Sequence, residues 1–183
     1  RMAEPVNIQL PPGEQMINTV AGLFPTLGPN LVTGSMAVEQ KTMFRGPISF
    51  VPALSGSIRF ANVDGSASAT LPLVLTPGND FVYSHLAQDQ KWFTGVTVLN
   101  SDSTVADITV DFYGSDGLKR GTYSVRLQPG ERFAKLIYEL IPESAGQSGG
   151  YVRITSNAWL TSFALFGTND LLSLSAIPPQ SVK

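Results

Sequence analysis

Asp107-Ile108-Thr109-Val110-Asp111-Phe112-Tyr113 alternates polar and apolar side chains without a break, and Gly95-Val96-Thr97-Val98-Leu99-Asn100 follows the same rule. Successive side chains of an extended chain point to opposite faces, so a period of two marks a strand with one face buried. Around these two runs, Thr122 to Leu127, Tyr151 to Thr155 and Leu160 to Phe166 read as further strands, the last two joined by Ser156-Asn157-Ala158. Ile48 to Val51 and Ser57 to Phe60 are similar in kind, with Asp64-Gly65 as a turn. Asn100-Ser101-Asp102-Ser103-Thr104 and Gly114-Ser115-Asp116-Gly117 carry side chains and glycines suited to turns, and both are expected to be hairpin connections.

Composition points the same way. With 183 residues, 43% of them hydrophobic, the chain can bury a core. Only 14% of residues are charged, against about a quarter in an average domain, and 17 Gly with 13 Pro imply many turns between short segments. An all-β protein follows. The formal net charge is −2 and the longest Lys/Arg run is Lys119-Arg120, so no basic patch invites nucleic acid or an anionic membrane. Without cysteine there is no disulfide, thiolate metal site or Cys nucleophile. No stretch approaches the roughly 18 apolar residues of a helical membrane span. Arg1-Met2-Ala3-Glu4-Pro5 lacks the apolar centre of a signal peptide, so any export signal is expected to have been removed, and an initial Arg suggests processing or a vector-derived residue.

An internal repeat organises the chain. Leu10-Pro11-Pro12-Gly13-Glu14-Gln15 matches Leu127-Gln128-Pro129-Gly130-Glu131-Arg132, and Val20, Leu23, Phe24 and Pro25 fall opposite Ile137, Leu140, Ile141 and Pro142. After a one-residue gap, Gly34-Ser35-Met36-Ala37-Val38 lies opposite Gly150-Tyr151-Val152-Arg153-Ile154. Both copies end at a proline-marked run, Leu71-Pro72-Leu73 and Ile177-Pro178-Pro179. Copy two has a front half, Phe81 to Arg126, whereas copy one has only Val6 to Leu10 before its Pro-Gly turn. The expected domains are therefore 1–78, a truncated repeat, and 79–183, a complete unit of sandwich size. After each Pro-Gly, Phe133, Leu136, Ile137 and Leu140, and likewise Met16, Val20 and Leu23, have helical spacing; a short helix ended by Pro142 or Pro25 is expected.

Phe93-Thr94-Gly95-Val96-Thr97-Val98-Leu99-Asn100, Asp116-Gly117, Leu127-Gln128-Pro129-Gly130, Glu139-Leu140-Ile141-Pro142 and Gly150-Tyr151-Val152-Arg153-Ile154 together resemble the immunoglobulin-like β-sandwich repeats of bacterial secreted and cell-surface proteins. The resemblance spans copy two and, in copy one, begins at Leu10. It implies an antiparallel immunoglobulin-like sandwich, extracellular or cell-surface placement and tandem arrays, and it carries over no catalytic residue.

Candidate sites are few. His85, the only histidine, is adjacent to Ser84, and neighbours on an extended chain point apart, which argues against a Ser84-His85-Asp89 triad. One His and no Cys cannot supply the usual zinc ligands. Structural calcium would draw on Asn100, Asp102, Asp116, Asn169 and Asp170, but these lack the spaced series of a calcium loop and each suits a turn. Asp107 and Asp111 share a strand face, as a glycosidase pair would, yet that face is the solvent side. Ser148-Gly149-Gly150 precedes a strand, not the helix a phosphate loop opens. Among Trp92, Phe93, Tyr151, Trp159, Phe163 and Phe166, core packing accounts for most; Trp92, at a strand start, and Trp159, in a turn, are the candidates for stacking on a sugar.

The expected function is a non-enzymatic structural or adhesive module without a cofactor. It would assemble with other protein subunits or with itself, the incomplete first copy accepting a strand from a neighbour. The alternative is a carbohydrate-binding accessory module of a secreted enzyme or adhesin, with a glycan as partner.

Overall fold

A computed structural model describes residues 3–28, 34–41, 54–74 and 76–182. The chain divides into two compact units, Arg1–Leu54 and Ser55–Lys183. The division leaves the first hairpin, expected with domain 1–78, in the second unit. In the first unit, Glu14 N–H donates to Pro11 O (3.1 Å) and closes a turn whose Gly13 holds φ at 81°. One helical turn, α1 (Val20–Leu23), follows, capped by Thr19, whose Oγ1 accepts from Gly22 N–H at 3.0 Å. A 3₁₀ turn over Pro25–Leu27 comes next. No described residue of this unit is buried.

The second unit is antiparallel β throughout. It holds β1 (Ser57–Ala61), β2 (Ser68–Pro72), β3 (Gly78–Tyr83), β4 (Trp92–Asn100), β5 (Ala106–Tyr113), β6 (Lys119–Leu127), β7 (Arg132–Leu136), β8 (Tyr151–Thr168), β9 (Leu174–Ile177) and β10 (Gln180–Ser181), with the one-turn helix α2 (Ile137–Leu140) after β7. The first half of β8 pairs with β3 and β5, building one layer in the order β10-β3-β8-β5-β6. Its second half pairs with β4 and β9, building the other, β9-β8-β4-β7. The two layers share one core: Phe81, Ile108, Val110, Phe112, Val152 and Ile154 from the first, Val96, Val98, Leu160 and Ala164 from the second. Each fully buried Phe, Ile or Val there contributes about 1.5–3 kcal/mol from burial alone. The Tyr83 hydroxyl donates to Ser162 Oγ (2.7 Å), which donates to Thr97 O (2.8 Å), tying β3 to β8 and β4 inside the core.

Several expectations need correcting. Ser156-Asn157-Ala158 does not turn the chain, because β8 runs unbroken through it. Asn157 Oδ1 instead accepts the Asp107 N–H at 2.7 Å, standing in for a ladder partner while the strand passes between layers. Trp159 is accordingly a strand residue. Asn100 to Thr104 crosses from β4 in one layer to β5 in the other and is not a hairpin, whereas Gly114 to Gly117 is one, between β5 and β6. The helices after the Pro-Gly turns are shorter than their spacing suggests: Phe133 and Leu136 belong to β7, since pairing with β4 satisfies their backbone, and only Ile137–Leu140 is helical. Val6 to Leu10 pairs with no strand among the described residues. Ile48 to Val51 lies outside the described residues.

Two pairs of segments share local geometry. Gly130 repeats the left-handed conformation of Gly13 (75° and 81°), and Glu131 N–H bonds Gln128 O as Glu14 N–H bonds Pro11 O. Α one-turn helix and a proline-led 3₁₀ turn follow in each, over Ile137–Leu140 and Pro142–Ser144 in one and Val20–Leu23 and Pro25–Leu27 in the other. The β1–β2 hairpin likewise matches β8–β9: Ile58 faces Leu71 as Ala164 faces Ile177, and Phe60 faces Ala69 as Phe166 faces Ser175. Asn62 N–H bonds Ala67 O (2.9 Å) as Thr168 N–H bonds Ser173 O (3.0 Å), and Asp64 and Asp170 each accept a backbone N–H two residues on. The left-handed position is Gly65 in one turn and Leu171 in the other, the latter at φ 58°. β2 lies against β9 without pairing to it, and Phe60 stacks on Phe163 at 6.1 Å.

Candidate functional site

The two tryptophans lie at opposite ends of the β4–β8 ladder, where Trp92 faces Thr168 and Leu160, next to Trp159, faces Asn100. About eight residues of strand separate them, roughly 27 Å, so they do not form one platform. Trp92 stacks on Phe166 with ring centroids 4.9 Å apart and planes 12° from parallel, and Lys91 Nζ stands 5.1 Å from its ring centre. His85 meets the same Phe166 edge-on at 4.9 Å. The Trp92 ring is thus engaged by the protein's own side chains.

Trp159 differs. Its residue is 54% exposed, while its backbone is clamped from both sides by the β4–β5 crossing. Trp159 N–H donates to Asp102 Oδ2 at 3.1 Å, and Trp159 O accepts from Ser101 N–H and Ser101 Oγ, each at 3.1 Å. The Trp159 and Thr104 N–H donors hold the Asp102 carboxyl below its ordinary range. The result is an exposed indole on a fixed backbone, a geometry that loses little freedom when a flat apolar face docks on it.

The crossing is anchored by Asn100, which is fully buried. Its Nδ2 donates to Thr104 O (2.8 Å) and Leu127 O (3.1 Å), its Oδ1 accepts Asp102 N–H (3.0 Å), and its main chain bonds Glu131 O and Gly130 N–H. Asn100 is committed to these partners, and the other oxygen-bearing candidates are similarly occupied. Asn169 Nδ2 donates to Asp89 O and Gln90 O, Asp170 Oδ1 accepts Leu172 N–H, and Asp116 caps Leu118 N–H and pairs with Arg120. Among the described residues no three His, Asp or Glu side chains converge.

Asp107 pairs with Arg126 at 2.7 Å and Asp111 with Lys119 at 3.0 Å, both across β5 and β6 on the outer face. Each carboxylate of that strand therefore has its own cation. Asp89 Oδ1 accepts Lys91 N–H and Trp92 N–H, closing the turn before β4, while His85 is spent on Phe166. A polar notch of about 430 Å³, lined by Gly114, Ser115, Asp116, Arg120, Glu143 and Gln147, lies beside the β5–β6 turn.

Sequence reasoning overlooked the Trp92–Phe166–His85 stack and the apolar hairpin tips. Val63, Leu171 and Leu172 are exposed there, with Asn62 Nδ2 bonding Leu171 O at 2.9 Å. Phe60 and Phe166, and Asp64 and Asp170, keep one constant spacing together with Leu71-Pro72 and Ile177-Pro178. That spacing would have identified the hairpins as a pair.

No family model matches the chain, and no curated protein does. Among solved structures it is similar to a Thermotoga maritima protein designated 1070, at 10% identity and a TM-score of 0.48, over 58% of this chain and 96% of that one. It is also similar to the Anabaena sensory rhodopsin transducer, at 16% identity and a TM-score of 0.41, over 50% and 99% of the respective chains. No described helix is long and apolar enough to cross a membrane.

Proposed function

We propose that this chain is a non-catalytic structural or adhesive module of an extracellular or cell-surface protein. It comprises an immunoglobulin-like sandwich unit and residues that repeat part of it, of the kind that recurs in tandem in bacterial surface proteins. The observation that carries this reading is the shared local geometry of the two copies. A turn, a helix, a 3₁₀ turn and a hairpin recur in the same order. Such recurrence is the mark of a chain built from repeated units, whose work is spacing and contact. The carboxylates being tied up in turns and cross-strand pairs supports a non-enzymatic role. Assembly proceeds through strands and sheet edges, with another protein subunit or another copy as partner.

Mass in solution, followed by size-exclusion chromatography with light scattering over a wide concentration range, tests the assembly. A dimer or longer polymer is expected; a strict monomer at the highest concentration sinks it. The exposed, backbone-clamped Trp159 favours a second reading, an accessory module that binds carbohydrate. In that case Trp159→Ala abolishes retention on a polysaccharide column while Trp92→Ala leaves it intact, and a blank glycan array removes the reading.

A further inference from the structure

The pairing of β5 fixes which way the main chain of β6 points. In an antiparallel ladder the N–H and C=O of one residue turn to the same side, and the side alternates along the strand. Asp107 N–H turns toward β8, where Asn157 Oδ1 accepts it at 2.7 Å. Ile108, Val110 and Phe112 therefore turn toward β6 and engage the main chain of their partners Val125, Tyr123 and Gly121. The main chain of Thr122, Ser124 and Arg126 is left facing away from β5, and no strand pairs with it among the described residues.

This edge is long and lightly guarded. Natural sheet edges are blunted by Lys, Pro, bulges or short length. β10 is only two residues long, β7 carries Arg132 and Lys135 within five, and β9 is flanked by β2. β6 runs nine residues, and its charges, Lys119, Arg120 and Arg126, stand toward its ends, as does the register shift opposite Phe112 and Tyr113. Between them Gly121-Thr122-Tyr123-Ser124-Val125 has no charge and no proline. Thr122 and Ser124 are exposed, whereas Tyr123 and Val125 are half-buried against the core.

We infer that β6 is an interface for a second copy of this chain, paired antiparallel with itself about a two-fold axis at Ser124. The inference rests on the assembly reading above and names its edge, partner and register. Ser124 then faces the partner's Ser124, and Thr122 faces the partner's Arg126, through main-chain groups already turned outward. On the core side Tyr123 meets the partner's Val125, an aromatic against a β-branched side chain, and each covers what the other leaves half-exposed. On the outer side the partner's Arg126 enters the row of Thr122 and Asp111, so a cation approaches a carboxylate. An axis at Tyr123 instead would set Arg120 directly against the partner's Arg126, two like charges opposed. The two-fold contact is closed, so it joins two sheets into one and leaves no open edge at β6.

Because the chain has no cysteine, Ser124→Cys supplies a single thiol that faces its own copy with Cα atoms about 5.5 Å apart, within disulfide reach. Under mild oxidation Ser124→Cys is expected to give a covalent dimer, and Lys135→Cys, on the β7 edge, is not. A charge exchange reads the register. Ser124→Lys and Ser124→Glu alter an exposed side chain, and each alone is expected to weaken dimerisation about fivefold in light scattering. An equal mixture of the two restores it, since the Lys of one chain then faces the Glu of the other. The inference is overturned if Lys135→Cys links as readily as Ser124→Cys, or if both charge variants associate as the parent chain does. Its failure is distinct from that of the assembly reading: a dimer indifferent to changes at Ser124 keeps assembly and loses this edge, whereas a strict monomer ends both.

Discussion

The Pro-Gly, helical and 3₁₀ turns within residues 11–27 share their local geometry with those within 128–144, while the residues in and around the two sets differ sharply in burial. Each closes a Pro-Gly turn on a left-handed glycine, makes one turn of helix and enters a 3₁₀ turn at a proline. Yet the second stretch delivers Leu127, Ile137, Val152 and Ile154 to the core, and the first leaves Leu10, Val20, Met36 and Val38 about half exposed. Turn and helix are set by residues that meet within four or five positions: a glycine free at positive φ, a threonine cap, a proline that removes a donor. Burial is set by strands that come from far along the chain. The helix even starts differently in the two, from the Thr19 hydroxyl in one and from Glu139 Oε2, which accepts the Leu136 N–H at 2.9 Å, in the other. The same local shape is reached by two chemistries, each acting within a few residues of the turn.

Paired truncations put most strain on that contrast. Ile154→Ala is expected to lower stability by about 2–5 kcal/mol, through lost burial and the cavity left behind, while Val38→Ala leaves it unchanged. Urea denaturation of both variants checks this, and equal losses would erase the distinction between the copies. Inside the complete unit, Ser162→Ala strands the buried Tyr83 hydroxyl, whose pKa burial has pushed far up, and is expected to cost about 1–3 kcal/mol. Tyr83→Phe removes the donor instead and leaves Ser162 bonded to Thr97, so its cost is smaller, about 1 kcal/mol. Thermal melts rank the two.

The matched hairpins sharpen the comparison further. Leu171 is the one non-glycine at positive φ among the described residues, in the position that Gly65 fills in the other turn. Leu171→Gly is expected to stabilise the fold by a few tenths to about 1 kcal/mol, since relief of the left-handed strain outweighs the added freedom of the unfolded chain. A lower melting temperature would contradict it. Smallest is the acid response of Asp80. Its carboxyl is held below the ordinary carboxylate range, first by the hydrogen bonds from Arg153 at 2.9 and 2.6 Å. A depressed folded pKa gives stability that is present above the unfolded value and is lost as pH falls through the folded one. Asp80→Asn should therefore flatten the melting curve's pH dependence below about 4 and shift the melting temperature by only about a degree or two, because the pair is partly exposed.

Much of the sheet was legible because alternation survives wherever one face is buried: Asp107 to Tyr113 reads as a strand, and the structure adds only Ala106 to it. Where reading failed, a tertiary partner had overruled a local signal. Ser156-Asn157-Ala158 has turn chemistry, but Asn157 spends its side chain on the Asp107 N–H and the strand continues. Phe133 and Leu136 have helical spacing, but β4 offers them a ladder. At the candidate site, Trp159 was found for a mistaken reason, since it lies on a strand and not in a turn. Trp92 was given a freedom it lacks, because Phe166, which occupies it, is distant in sequence.

One strand, β8, belongs to both layers of the complete unit, and that has a mechanical consequence. A pull along Tyr151–Thr168 loads the ladders to β3 and β5 at one end and to β4 and β9 at the other. Both sets of bonds are then sheared together and cannot be peeled one at a time. The layers share β8 as a continuous strand, so they part only when the ladders on one half of it are broken, and tension on the module would be carried from one sheet to the other along a single covalent backbone.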